Sequence, residues 1–129
     1  MAEKNNGAAI EYVKALQTAA RSYAYYFTLR RAAGSLYDVV ASTSDQLYLG
    51  YVFETQTPKV AAASRQTAGL VATYAGDVVF TPYFGRSDGR TRSYSEAWGG
   101  APPAWLRPVI APYDVGKKLW GHGVGMSTQ

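Results

Sequence analysis

No cysteine occurs among the 129 residues, so the chain has neither a disulfide to staple it nor a thiolate to react with. A single histidine leaves too few nitrogen and sulfur ligands for an internal zinc site, and neither a metal nor a cofactor is expected. Nowhere does an apolar run reach the ~20 residues of a membrane-spanning helix. The opening MAEKNNGAA carries no apolar stretch of the signal-peptide kind. Membrane insertion of this segment is therefore not expected. Charged residues are sparse at 17%, yet hydrophobic ones reach 47%, which is the balance of a packed chain and not of a disordered one.

What is present narrows the choice further. The length suits one domain spanning residues 1–129, enough to bury roughly two thirds of the unfolded surface. A net charge of +4 points to an anionic partner, which includes nucleic acid, a membrane surface or an acidic wall polymer. Eleven tyrosines and three tryptophans favour flat ligands such as sugar rings or bases, after core and interface uses are met. A nucleic-acid partner rests on charge and aromatics alone, without any recognisable binding motif, and is not expected.

Periodicity organises the first half. Ile10, Val13, Leu16, Ala20, Tyr23 and Phe27 recur at three and four, predicting one helix over residues 8–33 with Asn5 or Asn6 as cap and Gly34 as its stop. Glu11, Lys14, Thr18, Arg21 and Tyr25 line a second, polar face of that helix. Such a stripe reads either as a solvated face with internal ion pairs or as a ligand edge. After a polar loop, QLYLGYVFE alternates like a strand. TPKVAAASRQTAG reads as a shorter helix, with Pro58 in its first turn and Gly69 closing it. LVATYAG and DVVFTPYFG read as a hairpin turning at Gly76-Asp77. From Gly85 onward Gly, Pro and Ser predict loops and short strands. Helices first and hairpin strands later make an α+β domain.

Three glycine-punctuated motifs crowd the tail: SDGRT, the AWGG–WLR–APYD run, and GHGVGM with His122 between Gly121 and Gly123. Binding groups tend to sit on such loops. Taken with the helix, the order of motifs resembles the SpoIID/LytB domain family of stage II sporulation protein D. Glu11-Tyr-Val-Lys-Ala-Leu-Gln-Thr-Ala-Ala-Arg-Ser-Tyr-Ala24 keeps the family's Glu, Lys, Ala-Ala-Arg and Tyr positions. Gln46-Leu-Tyr-Leu-Gly50 matches its Q-x-Y-x-G, and Ala63, Thr67, Gly69, Tyr74 and Gly76 match the next segment. Tyr83 through Thr91, Trp98-Gly99, Trp105-Leu106-Arg107, Pro112-Tyr-Asp114 and Gly121–Ser127 follow in family order. In the family, strands precede the Glu3 position and more chain follows the closing motif, so the chain is read as a trimmed core. Some members hold zinc near the Q-x-Y loop, but Ala41-Ser-Thr-Ser-Asp45 here offers no Cys or His.

The resemblance implies a long N-terminal helix on a small, mostly antiparallel sheet, with a second short helix and a Gly-rich loop region. It also implies an extracytoplasmic protein of the cell envelope acting on peptidoglycan glycan strands, by lytic transglycosylase cleavage to a 1,6-anhydro-muramyl product. A non-catalytic wall-binding module that enhances a partner amidase is the other implied role. One carboxylic acid, protonated near neutral pH in a partly desolvated place, suffices for the cleavage. Glu3 is the candidate by its spacing from Glu11, and Glu11 is the second, although Lys14 and Arg21 on its face favour its ionised form. Lys14 and Arg21 are then expected on the muramyl carboxylate. Gln46, Ser87, Asp88, Gly89, Thr91 and Ser127 are expected on hydroxyl and N-acetyl groups, with Tyr48 and Tyr83 against ring faces. His122 reads as orienting the acid, touching the glycan or stapling its loop. Trp98 and Trp105 read as core.

Overall fold

A computed structural model describes residues 8–129; Glu3, Asn5 and Asn6 fall outside them. The chain divides into two compact units, Met1–Phe80 and Thr81–Gln129. The α+β class expected from the sequence is what the structure has, with one long helix, short helices and a small complement of strands.

In the first unit, helix α1 runs Ile10–Thr28. Its apolar stripe turns inward as the spacing requires: Val13, Leu16 and Tyr23 are buried. Tyr23, Tyr26 and Phe27 gather around Phe80 with ring centroids 5.3, 5.8 and 6.0 Å from it. The helix stops short of the expected Gly34. Beyond Phe27 the stripe has nothing to bury, and a helix without a packed face is marginal in water. There Arg30 stacks on the Tyr26 ring at 3.8 Å and Arg31 bonds the Ser35 carbonyl.

The expected strand over QLYLGYVFE is instead a loop followed by the five-residue helix α2, Val52–Gln56. Gly50, at φ 90°, breaks the extended path, and Leu47, Leu49 and Tyr51 face solvent where the alternation had pointed to a half-buried face. Helix α3, Pro58–Gln66, starts on proline as predicted, and Gly69 follows its end at φ 77°. Strands β1, Thr73–Tyr74, and β2, Asp77–Val78, form the expected antiparallel hairpin. Because Tyr74 pairs with Asp77, the turn is Ala75–Gly76, one residue earlier than read. Both turn residues have positive φ, at 52° and 90°, which is the type I′ signature.

The second unit is built around strand β3, Tyr83–Phe84, paired with β4, Met126–Ser127. This pairing is parallel and forms its own two-stranded sheet. Phe84, Leu106 and Val124 are its buried apolar residues. Helix α4, Tyr94–Trp98, opens with a capping box: the Ser93 hydroxyl accepts the Glu96 N–H, and the Glu96 carboxylate accepts the Ser93 N–H at 2.7 Å. A 3-10 turn covers Pro112–Asp114.

A non-glycine residue in the left-handed region costs stability, and Asn tolerates it better than Ala. Ala75→Asn is expected to raise stability by about 0.5 to 1 kcal/mol. Thermal unfolding checks this, and an unchanged or lower midpoint contradicts the I′ assignment.

Candidate functional site

The first unit holds five of the described candidate residues, and it uses most of their polar groups internally. Lys14 Nζ lies 2.7 Å from Glu11 Oε1, in an i, i+3 pair whose Glu side chain is 78% exposed. Glu11 thus faces solvent and is ion-paired within its own helix. Arg21 reaches across to the end of α3. Its Nη1 donates to the Thr67 and Leu70 carbonyls at 2.7 and 3.0 Å, and its Nη2 to the Ser64 carbonyl at 3.1 Å and the Thr67 hydroxyl at 3.2 Å. A helix leaves its last carbonyls without partners, and here a cation supplies them. Gln46 donates through Nε2 to the Ala20 carbonyl at 2.7 Å, fastening its loop to α1. Tyr48 is 70% exposed and lines the clefts of this unit.

Two residues that the sequence reading passed over do comparable work. The fully buried Ser22 hydroxyl accepts the Ala72 N–H at 2.8 Å. Asp45 accepts the Tyr23 hydroxyl at 2.9 Å and the Val40 N–H at 2.8 Å. A serine inside an otherwise apolar helical stripe was the one available signal for Ser22.

The second unit contains the tail motifs, and their side chains bond within it. The buried Ser87 hydroxyl donates to Asp114, and Lys117 Nζ holds the other Asp114 oxygen at 2.6 Å. Ser127 Oγ accepts the Ser87 N–H at 3.3 Å and donates to the Gln129 carbonyl. Asp88 and Arg92 form a two-pronged pair at 3.0 and 2.7 Å. Gly89 presents its carbonyl to the Ala111 N–H at 2.9 Å. Thr91 is tied twice to Val109, accepting its N–H on the hydroxyl and donating its own N–H to its carbonyl, both at 2.8 Å.

His122 closes the GHGVG loop on itself. Its Nδ1 accepts the Val124 N–H at 3.1 Å, so Nε2 carries the proton and donates to the Tyr83 carbonyl at 3.2 Å. The ring lies 4.7 Å from the Trp98 ring and 5.8 Å from that of Phe84. The last glycine of the loop is required: a Cβ on Gly125, at φ 81°, would overlap the Pro82 carbonyl oxygen. Trp98 and Trp105 are 45% and 36% exposed, which corrects the expectation that both are core. The β3–β4 arrangement supports His122 from one side and leaves the indole of Trp98 at the surface.

Electrostatics sort the carboxylates. The Arg92 hydrogen bond holds Asp88 below the usual carboxylate range, and Lys117, then Ser87, does the same for Asp114. The Arg90 hydrogen bond, with Ser93 behind it, brings Glu96 to about 2. All three are therefore ionised acceptors at neutral pH and not proton donors. Burial raises the Tyr83 phenol and lowers the His122 imidazole.

The family model described as Stage II sporulation protein matches residues 1–74, more than half of the chain. The chain belongs to the stage II sporulation protein D family. No curated protein matches it. The match takes in Glu3, Glu11, Lys14, Arg21, Gln46 and Tyr48, while the tail motifs follow it. Membership associates this SpoIID chain with sporulation and the cell wall. Among its described residues no helix is long and apolar enough to cross a membrane.

Two measurements check this geometry. Arg21→Ala removes the charged donors from the Ser64, Thr67 and Leu70 carbonyls, leaving the first two only the Thr67 hydroxyl and the Leu70 N–H, and is expected to cost about 2 kcal/mol in denaturant unfolding; a loss below about 0.5 kcal/mol contradicts the capping role. A protonated His122 cannot accept the Val124 N–H, and its folded pKa lies below the ordinary 6.5. Below that value the unfolded chain binds the proton more readily. Stability is thus full above about pH 6.5 and falls as pH drops through the lower folded value. Thermal midpoints between pH 7.5 and 5 are expected to fall in the native chain and to flatten in His122→Gln. Equal slopes in both contradict it.

Proposed function

We propose that this protein cleaves peptidoglycan glycan strands between the muramyl and glucosaminyl residues by the lytic transglycosylase route, in the cell envelope outside the cytoplasm. A carboxylic acid protonates the bridging oxygen and the C1–O bond breaks. The muramyl 6-hydroxyl then attacks C1, and its proton passes to the same carboxylate. The product is a 1,6-anhydro sugar and no water is consumed. One acid serves both steps, unlike the paired carboxylates of glycoside hydrolysis.

Family membership, through a match that includes both candidate acids, is the observation that carries this reading. The state of the other carboxylates supports Glu3 over the rest. Glu11, Asp38, Glu54, Asp88, Glu96 and Asp114 are each in an ion pair, Asp45 is held by two hydrogen bonds, and Asp77 is exposed. In this reading Glu3 is the acid and Lys14, one turn along α1 from Glu11, meets the muramyl carboxylate. Tyr48 and Tyr83 face sugar rings. Arg21, Gln46, Ser87, Asp88, Gly89, Thr91, His122 and Ser127 shape the loops that carry them.

A wall-binding module that enhances a partner amidase is the second reading, favoured by the same pairing of the described carboxylates. Denuded sacculi separate the two. Release of 1,6-anhydro products, followed by mass spectrometry, is expected from the native chain. Glu3→Gln should reduce it by about a hundredfold or more, and Glu11→Gln should leave it within severalfold. Loss only in Glu11→Gln reassigns the acid, and no loss in either rejects both. Sedimentation with sacculi without product supports the binding module.

A further inference from the structure

Exposed apolar side chains concentrate in one stretch of the second unit, from Val109 to Trp120. Ile110, Tyr113 and Val115 are 81%, 93% and 72% exposed, and Trp120 is 56% exposed. Apolar residues scattered singly over a surface need no explanation, but a run of them marks a docking surface.

This stretch is not slack. An antiparallel bridge joins Ile110 to Arg90 at one end, and another joins Trp120 to Arg86 at the other. Between them the 3-10 turn Pro112–Asp114 carries the buried Asp114 carboxylate, which accepts the Ser87 hydroxyl and holds Lys117 Nζ. Trp120 lies so closely over Gly85 that a Cβ there would meet its ring at 2.8 Å, and the Val115 side chain rests against Gly89. The loop is pinned at both ends and at its centre, so its exposed apolar groups need little further ordering on docking.

Charge narrows the partner. Of the six cations in residues 81–129, Arg90, Arg92 and Lys117 pair with the three carboxylate side chains present there, Glu96, Asp88 and Asp114. Arg86, Arg107 and Lys118 form no ion pair among the described residues. Lys118 lies within the apolar run, and Arg86 Nε donates to the Lys118 carbonyl at 3.0 Å, so two of these cations sit at its Trp120 end. An extended polyanion would use the cations but leave Ile110 and Val115 in water, and neither has a ring to stack on a base. The centre of a protein interface is depleted of lysine, whereas Lys118 stands between Val115 and Trp120. A bilayer surface uses both kinds of group. Aliphatic side chains enter the acyl boundary, Tyr and Trp settle at headgroup level, and lysines reach anionic headgroups.

We propose that the 109–120 loop docks the second unit on an anionic lipid bilayer, lying in its surface and not spanning it. The docking residues are Ile110, Tyr113, Val115, Lys118 and Trp120, with Arg86 behind them. The peptidoglycan reading employs none of these, and the two stand or fall separately.

Co-sedimentation of the full chain with phosphatidylcholine vesicles, plain or with about one third phosphatidylglycerol, tests the docking. Uptake is expected on the anionic vesicles and not on the plain ones, and high salt should weaken it about tenfold. Ile110→Ser and Tyr113→Ser should each weaken it about tenfold, the loss of one embedded apolar side chain. Lys118→Gln, which keeps its carbonyl for Arg86, should weaken it about fivefold, the loss of one basic contact at the surface. All three replace exposed side chains, so thermal midpoints are expected to stay unchanged. No uptake by anionic vesicles overturns the proposal, as does equal uptake by both kinds or native-like uptake of all three variants. A native dimer that Ile110→Ser dissociates, without vesicle uptake, overturns it and assigns the loop to a second copy of the chain. Sedimentation with sacculi but not with vesicles overturns it and leaves the peptidoglycan reading intact.

Discussion

The guanidinium of Arg21 is the fastening on which the first unit depends. It projects from the middle of α1 and satisfies three carbonyls and a hydroxyl at the end of α3. Without it, the Leu70 carbonyl would need water, the Ser64 and Thr67 carbonyls would keep only a local donor each, and the helix pair would rest on a thin set of buried side chains such as Val13, Leu16 and Ala63. Ser64, whose carbonyl it holds, and Arg65 beside it line a cleft that α1, α2 and the 47–50 loop complete. Gln46, Ser22 and Asp45 extend the same device to the loop at 39–46 and to the approach to the hairpin.

The second unit applies this principle with less regular structure still. Its strands are two residues long, so ladder hydrogen bonds alone hold little of its backbone. Side chains take over: Thr91 secures Val109, Ser127 secures Ser87, His122 secures Val124, and ionised Asp88, Glu96 and Asp114 are locked by cations. Charge-assisted bonds of this kind are roughly twice as strong as neutral ones. Glycines permit the sharp turns between fastenings, and Gly125 against the Pro82 carbonyl admits no side chain at all.

Much of the frame was legible in the sequence where a local pattern decides it. The stripe from Ile10 to Phe27 fixed α1, Pro58 and Gly69 bracketed α3, and Gly76 marked the hairpin within one residue. Long-range pairing has no such local trace. Nothing in Tyr83–Phe84 announces a parallel partner at Met126–Ser127, and the alternation of Gln46–Glu54 mimics a strand that finds no neighbour. The capping box Ser93–Glu96 was written plainly but sat inside a stretch read as loop. As for the candidate site, motif order could name its residues but not reveal their use. A polar residue on a glycine-rich loop looks the same whether it awaits a ligand or a carbonyl in its own fold.

Many of the motif side chains serve as acceptors and donors for the backbone of their own units. Amide hydrogen exchange read residue by residue tests that claim most directly. The N–H groups of Val40, Ala72, Val109 and Val124 all donate to side chains and lie outside every helix and paired strand. They are expected to exchange far more slowly than unstructured peptide, as helical amides do. Exchange at the unprotected rate at these positions, with α1 still protected, would contradict it.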